Sequence, residues 1–165
     1  MNVMNLFKFK KNKNSKSFIE TQNFLSSIDS INYGGCGIAA LALYDAAVRE
    51  GKKVEIVYLY NEWNTEEMEI NEQFQQGNNT KAASCMHIVV KVDGEKVDCD
   101  GNINLKFLPV YKEHTVTREH LIQSLITGGW NPCFDRRRWF HKIKEFCQLD
   151  VDLPIKINNY CYYEW

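Results

Sequence analysis

Cys36 stands among three glycines, in "NYGGCG" (residues 32 to 37), where an apolar run begins with "IAALALYDAAV". A thiol at a helix N-terminus meets unpaired backbone N–H groups and the positive end of the helix dipole. Both favour thiolate, the nucleophilic form. Flanking glycines let backbone approach closely and leave room for a substrate, and their N–H groups can serve a developing oxyanion. The residue types that complete such chemistry are an imidazole to move the proton and an acid to orient the imidazole.

Both occur around a tight hairpin. "CMHIVVKVDGEKVDCDG" consists of two alternating runs around Asp93-Gly94, a pair suited to a two-residue turn. That turn sets Val92 opposite Glu95, Val90 opposite Val97, Ile88 opposite Cys99 and His87 opposite Asp100. Ile88, Val90, Val92, Val97 and Cys99 then form the buried face, and His87, Val89, Lys91, Lys96, Asp98 and Asp100 the solvent-side one. His87 has Asp100 directly across and Asp98 diagonally across, at Cβ separations of roughly 5 and 7 Å, so either carboxylate reaches a ring nitrogen.

The elements that must position these groups follow from the pattern of the chain. At 165 residues, 44% of them hydrophobic and 25% charged, it is long enough to bury a core and is globular in composition. Residues 1–16 read as a basic, flexible arm and 17–165 as one domain with no internal repeat. Ser17 followed by Glu20 is a capping box that opens a first amphipathic helix. A second helix runs from Cys36 to Glu50 and stops at Gly51; being apolar nearly all round, it belongs in the middle of the domain. "KKVEIVYLY" is a strand, and the acidic stretch 61–81 reads as a mobile excursion. "LKFLPVY" and the tail "PIKINNYCYYEW" read as further strands. Helices are expected in "TREHLIQSLITGG", capped by Thr117, and in "FDRRRWFHKIKEFCQLD", capped by Asp135. The class is α+β, a nucleophile helix packed with others on a small antiparallel sheet.

The order Cys, His, Asp and its surroundings resemble the papain-like cysteine peptidase superfamily, in particular its small transglutaminase-like and phage-encoded members. The matching residues are Cys36-Gly37 with Ala40, Ala42 and Leu43, then His87-Ile88-Val89-Val90-Lys91 with Gly94, then Asp98-Cys99-Asp100-Gly101. They cover roughly residues 32 to 101. The resemblance implies a papain-like fold and a Cys-His-Asp triad of Cys36, His87 and Asp98. It also implies a thioester intermediate, no cofactor, and a protein or peptide substrate. Hydrolysis, glutamine deamidation and transamidation all share that intermediate. The family pattern favours Asp98 where the register alone favours Asp100. The position where many papain-like peptidases carry an oxyanion-hole glutamine, six before Cys36, is not a glutamine here, and Asn32 is the candidate in its place.

Other chemistries find less support. Cys85, His87, Asp98 and Asp100 could converge on a metal, but no CxxC occurs and no fourth ligand has a recognisable spacing. "DCDGNIN" fails as a calcium loop, because its glycine comes early and Pro109 stands where the bidentate glutamate belongs. A net charge of −1 points at neither nucleic acid nor a membrane. Arg136, Arg137, Arg138, Lys142 and Lys144 read as a solvated helix face. With no apolar segment suited to a signal or a membrane span, a cytoplasmic setting is expected, the host cytoplasm if phage-encoded. Most of the six cysteines then read as small buried hydrophobes. The reading from a different class is a non-catalytic phage protein that engages a host protein, using Trp63 with Glu66, Glu67 and Glu69.

Overall fold

The computed structural model describes residues 15–80, 82–83, 85–103, 110, 112–127 and 134–154. Among them are α1 (Phe18–Ser26), α2 (Cys36–Arg49), β1 (Val54–Tyr60), α3 (Thr65–Gln75), β2 (His87–Val92), β3 (Glu95–Asp98), β4 (Gly101–Asn102), β5 (Lys112–Val116), α4 (Arg118–Thr127) and α5 (Arg136–Cys147). The strands form one antiparallel sheet in the order β4-β3-β2-β1-β5, so the architecture is mixed α+β. No helix among the described residues is long and apolar enough to cross a membrane.

The expected caps form. Ser17 accepts from the Glu20 N–H while the Glu20 side chain accepts from the Ser17 N–H. Thr117 Oγ1 accepts from the His120 N–H at 3.1 Å, and Asp135 accepts from the Arg138 N–H at 3.0 Å. Each satisfies a donor that the first helical turn leaves without an intrahelical partner. The strands expected in "LKFLPVY" and in the C-terminal tail lie almost wholly outside the described residues; the strand that pairs with β1 is β5, just beyond the first of them.

α2 is the centre of the core. Its Ile38 through Leu43, with Ala46 and Ala47, are buried in one cluster with Leu25, Ile56, Tyr58, Val90, Leu121 and Ile143. Alanines on a central helix let the other layers approach closely. On its polar stripe, Asp45 accepts two bonds from Arg118, at 2.7 and 2.8 Å, a bidentate fork that ties the start of α4 to α2. Phe24 of α1 stacks on Phe146 of α5 with ring centroids 4.0 Å apart.

Two expectations about mobility and solvation are corrected. Residues 61–81 contain α3 and are not simply an excursion. Asn71 on α3 is fully buried: its amide donates to the Tyr60 hydroxyl and to the Ala83 carbonyl, and its oxygen accepts from the Ala83 N–H. A single amide thus clamps the backbone leading into β2, and leaving those groups unpaired would cost about 1–3 kcal/mol for each. The run of basic residues on α5 is likewise not uniformly solvated. Arg136 is buried, and both its terminal nitrogens donate to the Leu125 carbonyl at 3.1 Å. Periodicity reports neither event, because in each case a polar side chain is satisfied by backbone distant in sequence.

Candidate active site

α2 begins at Cys36 with Gly35 as N-cap and no side-chain cap, so the N–H groups of its first turn are not taken by a capping side chain. The glycines around Cys36 serve packing more than substrate access. A Cβ on Gly35 would lie 2.8 Å from both Ile31 Cδ1 and the Ile31 carbonyl oxygen, and 2.9 Å from Phe134. A Cβ on Gly37 would lie 2.9 Å from Leu125 Cδ2 and 3.4 Å from Ile88 Cδ1. The start of α2 is thereby pressed against the beginning of β2, next to His87. Cys36 itself is half-buried and its thiol is free.

The hairpin forms in the expected register next to its turn, with Val90 opposite Val97 and Val92 opposite Glu95, but the expected pairs Ile88–Cys99 and His87–Asp100 do not form, because Asp98 pairs with Gly101 and residues 99–100 turn the chain into β4. Asp93 and Gly94 both adopt positive φ, at 50° and 95°, as the two-residue turn requires. The expectation that His87 lies on a solvent-side face is overturned. Val57, Leu59 and Val89 form a second small apolar cluster on that face, and His87, opposite Leu59, is only 9% exposed.

Asp98, not Asp100, takes the ring. His87 Nε2 lies 3.0 Å from Asp98 Oδ2. Asp98 Oδ1 accepts from the Asp100 N–H at 2.8 Å, which fixes the carboxylate's orientation. The Asp100 side chain is engaged elsewhere: its Oδ2 accepts from Asn32 Nδ2 at 2.6 Å, and Asn32 Oδ1 accepts from the Cys99 thiol at 3.2 Å. Asn32, expected near an oxyanion, is therefore a clasp between the loop carrying Cys36 and the turn carrying Asp98. Gln22 of α1 adds a second restraint by donating to the Asp98 carbonyl at 2.6 Å. Nothing in the spacing of the chain singles out Gln22, whose partner is far away in sequence.

Burial alone would lower the His87 pKa. The hydrogen bond that the ring donates to the Asp98 carboxylate, together with the influence of Cys36 and the negative charge of Asp98, overcomes it, raising the value to about 9. With Nε2 engaged by Asp98, Nδ1 is the ring nitrogen left for the sulfur.

A pH dependence follows. Below about pH 6.5 the His87 proton is bound in folded and unfolded chains alike, and its favourable contacts contribute fully to stability. That contribution is lost as pH rises through about 9. Its size is on the order of 1–3 kcal/mol. Burial lowers the pKa values of His114 and His120, so their contribution is lost instead as pH falls below 6.5. Denaturant midpoints should therefore decline on both sides of neutrality. NMR should find one imidazole titrating near 9 that disappears in His87→Ala. A wild-type spectrum with no ring titrating above about 7.5 would contradict this account.

Asp98, Cys99 and Asp100 bring ligand-type atoms within 4.8 Å of one another, the one such group among the described residues. It is not the set of Cys85, His87, Asp98 and Asp100 considered from sequence. Its oxygens and sulfur already carry the bonds to His87, the Asp100 N–H and Asn32 described above.

Comparison with family models, with curated proteins and with solved structures gives no match to this chain. The functional reading therefore rests on the geometry.

Proposed function

We propose that the protein is a papain-like cysteine enzyme acting on amides, with Cys36 as nucleophile, His87 as proton carrier and Asp98 as orienting acid. The observation that carries the reading is the buried His87, its Nε2 3.0 Å from Asp98 Oδ2, at the beginning of the strand against which the start of α2 with Cys36 packs. In this mechanism the Cys36 thiolate, paired with protonated His87, attacks the amide carbonyl carbon. The oxyanion that forms is met by N–H groups in the first turn of α2. His87 gives its proton to the leaving nitrogen as the C–N bond breaks, leaving a thioester. The ring, now neutral, takes a proton from water or from an amine that attacks the thioester, and Cys36 is released. Water completes peptide hydrolysis or deamidation; an amine completes transamidation. Protein or peptide substrates suit a site of this kind.

The test is thiol selectivity. Limiting iodoacetamide at mildly acidic pH, followed by peptide mass mapping, should label Cys36 ahead of the other five cysteines. His87→Ala should slow that labelling. Label spread evenly, or concentrated on Cys85, would remove Cys36 as the nucleophile.

One observation favours a second reading, a binding protein on the same scaffold. Trp63 is 81% exposed, beside α3 with its exposed Glu66 and Glu69. Large exposed aromatics mark interaction surfaces. Under that reading Cys36 would show no selectivity.

A further inference from the structure

The acid of the candidate site sits at a corner of the fold. Asp98 and Gly101 pair across the turn Cys99-Asp100, where Asp100 is exposed, and the strand that follows, β4, is 2 residues long and lies at the edge of the sheet. A short turn at a sheet edge has few contacts of its own to hold it. Yet Asp98 must keep one oxygen on His87, because an imidazole is oriented only as well as its acid is.

Asn32 reaches this turn from the loop that leads into Cys36, and grips it at two points. Its amide donates to Asp100 Oδ2 at 2.6 Å, and its oxygen accepts from the Cys99 thiol at 3.2 Å. Burial, helped by the charges of Asp100 and Asp98, pushes that thiol's pKa up to about 12, so it remains a donor at neutral pH. Two further links run on to the ring. The Asp100 N–H donates to Asp98 Oδ1 at 2.8 Å, and Asp98 Oδ2 lies 3.0 Å from His87 Nε2. On its other side Asn32 is anchored to the core. Its neighbour Ile31 is buried, and Gly35 packs so tightly on the Ile31 carbonyl that a Cβ there would lie 2.8 Å away.

We propose that Asn32 is a positioning residue for the acid: acting through Asp100, it holds the Asp98 carboxylate on His87 and ties it to the segment that carries Cys36. This rests on the Cys36–His87–Asp98 reading. The polarity of the clasp is specified as well as its place. A carboxylate at position 32 would face the Asp100 carboxylate with no proton between them, and would push the turn away. Exchanging the two side chains puts a donor opposite an acceptor again, leaves an oxygen for the Cys99 thiol, and keeps the net charge unchanged.

The experiment compares full-length wild type with Asn32→Ala, Asn32→Asp, Asp100→Asn and the exchange that combines the last two. Each is read by the rate of Cys36 alkylation with iodoacetamide at mildly acidic pH, by NMR titration of the His87 ring, and by melting temperature. Asn32→Ala and Asn32→Asp should each slow alkylation about three- to tenfold, since thiolate at that pH depends on the oriented imidazolium. In Asn32→Ala the His87 titration should fall by about one pH unit, toward the ordinary imidazole range. The exchange should recover alkylation to within about twofold of Asp100→Asn alone, a rescue that a general loosening of the loop does not give. If Asn32→Asp fails to fold, the exchange carries the test: folded and reactive it supports the role, slow or unfolded it overturns it. If melting falls while alkylation and the His87 titration keep their wild-type values, or if the exchange stays as slow as Asn32→Asp, Asn32 has no positioning role and Cys36 still stands as nucleophile. If wild-type Cys36 is not labelled ahead of the other cysteines, both readings fall.

Discussion

Asp98→Asn is expected to lower turnover about 10²- to 10⁴-fold, a loss of the kind that follows when an orienting acid becomes an amide. The structure explains why the amide would face the wrong way. Asp98 Oδ1 accepts from the Asp100 N–H, so the asparagine carbonyl would be drawn to that position. Its NH₂ would then point at His87 Nε2, which now faces Asp98 Oδ2. A donor there requires Nε2 to be an acceptor and moves the ring proton to Nδ1, the nitrogen left for Cys36. In that tautomer the ring cannot take a proton from the thiol. Asp100→Asn leaves an amide oxygen to accept from Asn32 and should cost roughly tenfold or less, through lost local charge. Rates on a common substrate, with Cys36 alkylation at mildly acidic pH as a second readout, decide the order. Greater damage in Asp100→Asn would show that Asp100, not Asp98, orients the ring; no damage in either would leave no triad.

Gly35→Ala is expected to destabilise the protein by about 1–3 kcal/mol or more, the usual cost of overpacking. The added methyl would lie 2.8 Å from the Ile31 carbonyl oxygen, and that backbone atom cannot swing aside as a side-chain end can. Gly35 has φ −96°, so the effect is steric and not conformational. Thermal unfolding should fall by roughly 3–10 °C for a chain of this size. Because relief requires moving the start of α2, selective labelling of Cys36 should weaken as well. A melting point within about 1 °C of wild type, with labelling unchanged, would show that the loop yields freely.

His87→Ala has a different profile from the one its alternating strand suggests. The ring is buried beside Leu59 and Val89, so its loss opens a small void and leaves Asp98 Oδ2 without the imidazole. Some loss of stability is therefore expected in this variant.

Taken by itself, the sequence determined the local parts of this protein. Ser17 and Glu20 cap each other, Asp93-Gly94 turns the hairpin, and the apolar run after Cys36 makes a central helix, because each depends on neighbours a few residues away. The hairpin also brought His87 and Asp98 near each other, since a two-residue turn fixes the pairing next to it. Only the tertiary structure decided between the two aspartates, by giving Asp100 to Asn32 and leaving Asp98 for the ring. It likewise set the glycines against Ile31, Phe134 and Leu125, brought Gln22 to the Asp98 carbonyl, and buried Asn71 against Ala83. Several of these contacts, such as Gln22 with Asp98 and Asn32 with Asp100, join segments far apart in the chain. Their partners are chosen by how the layers pack, and packing leaves no period or motif in any one segment.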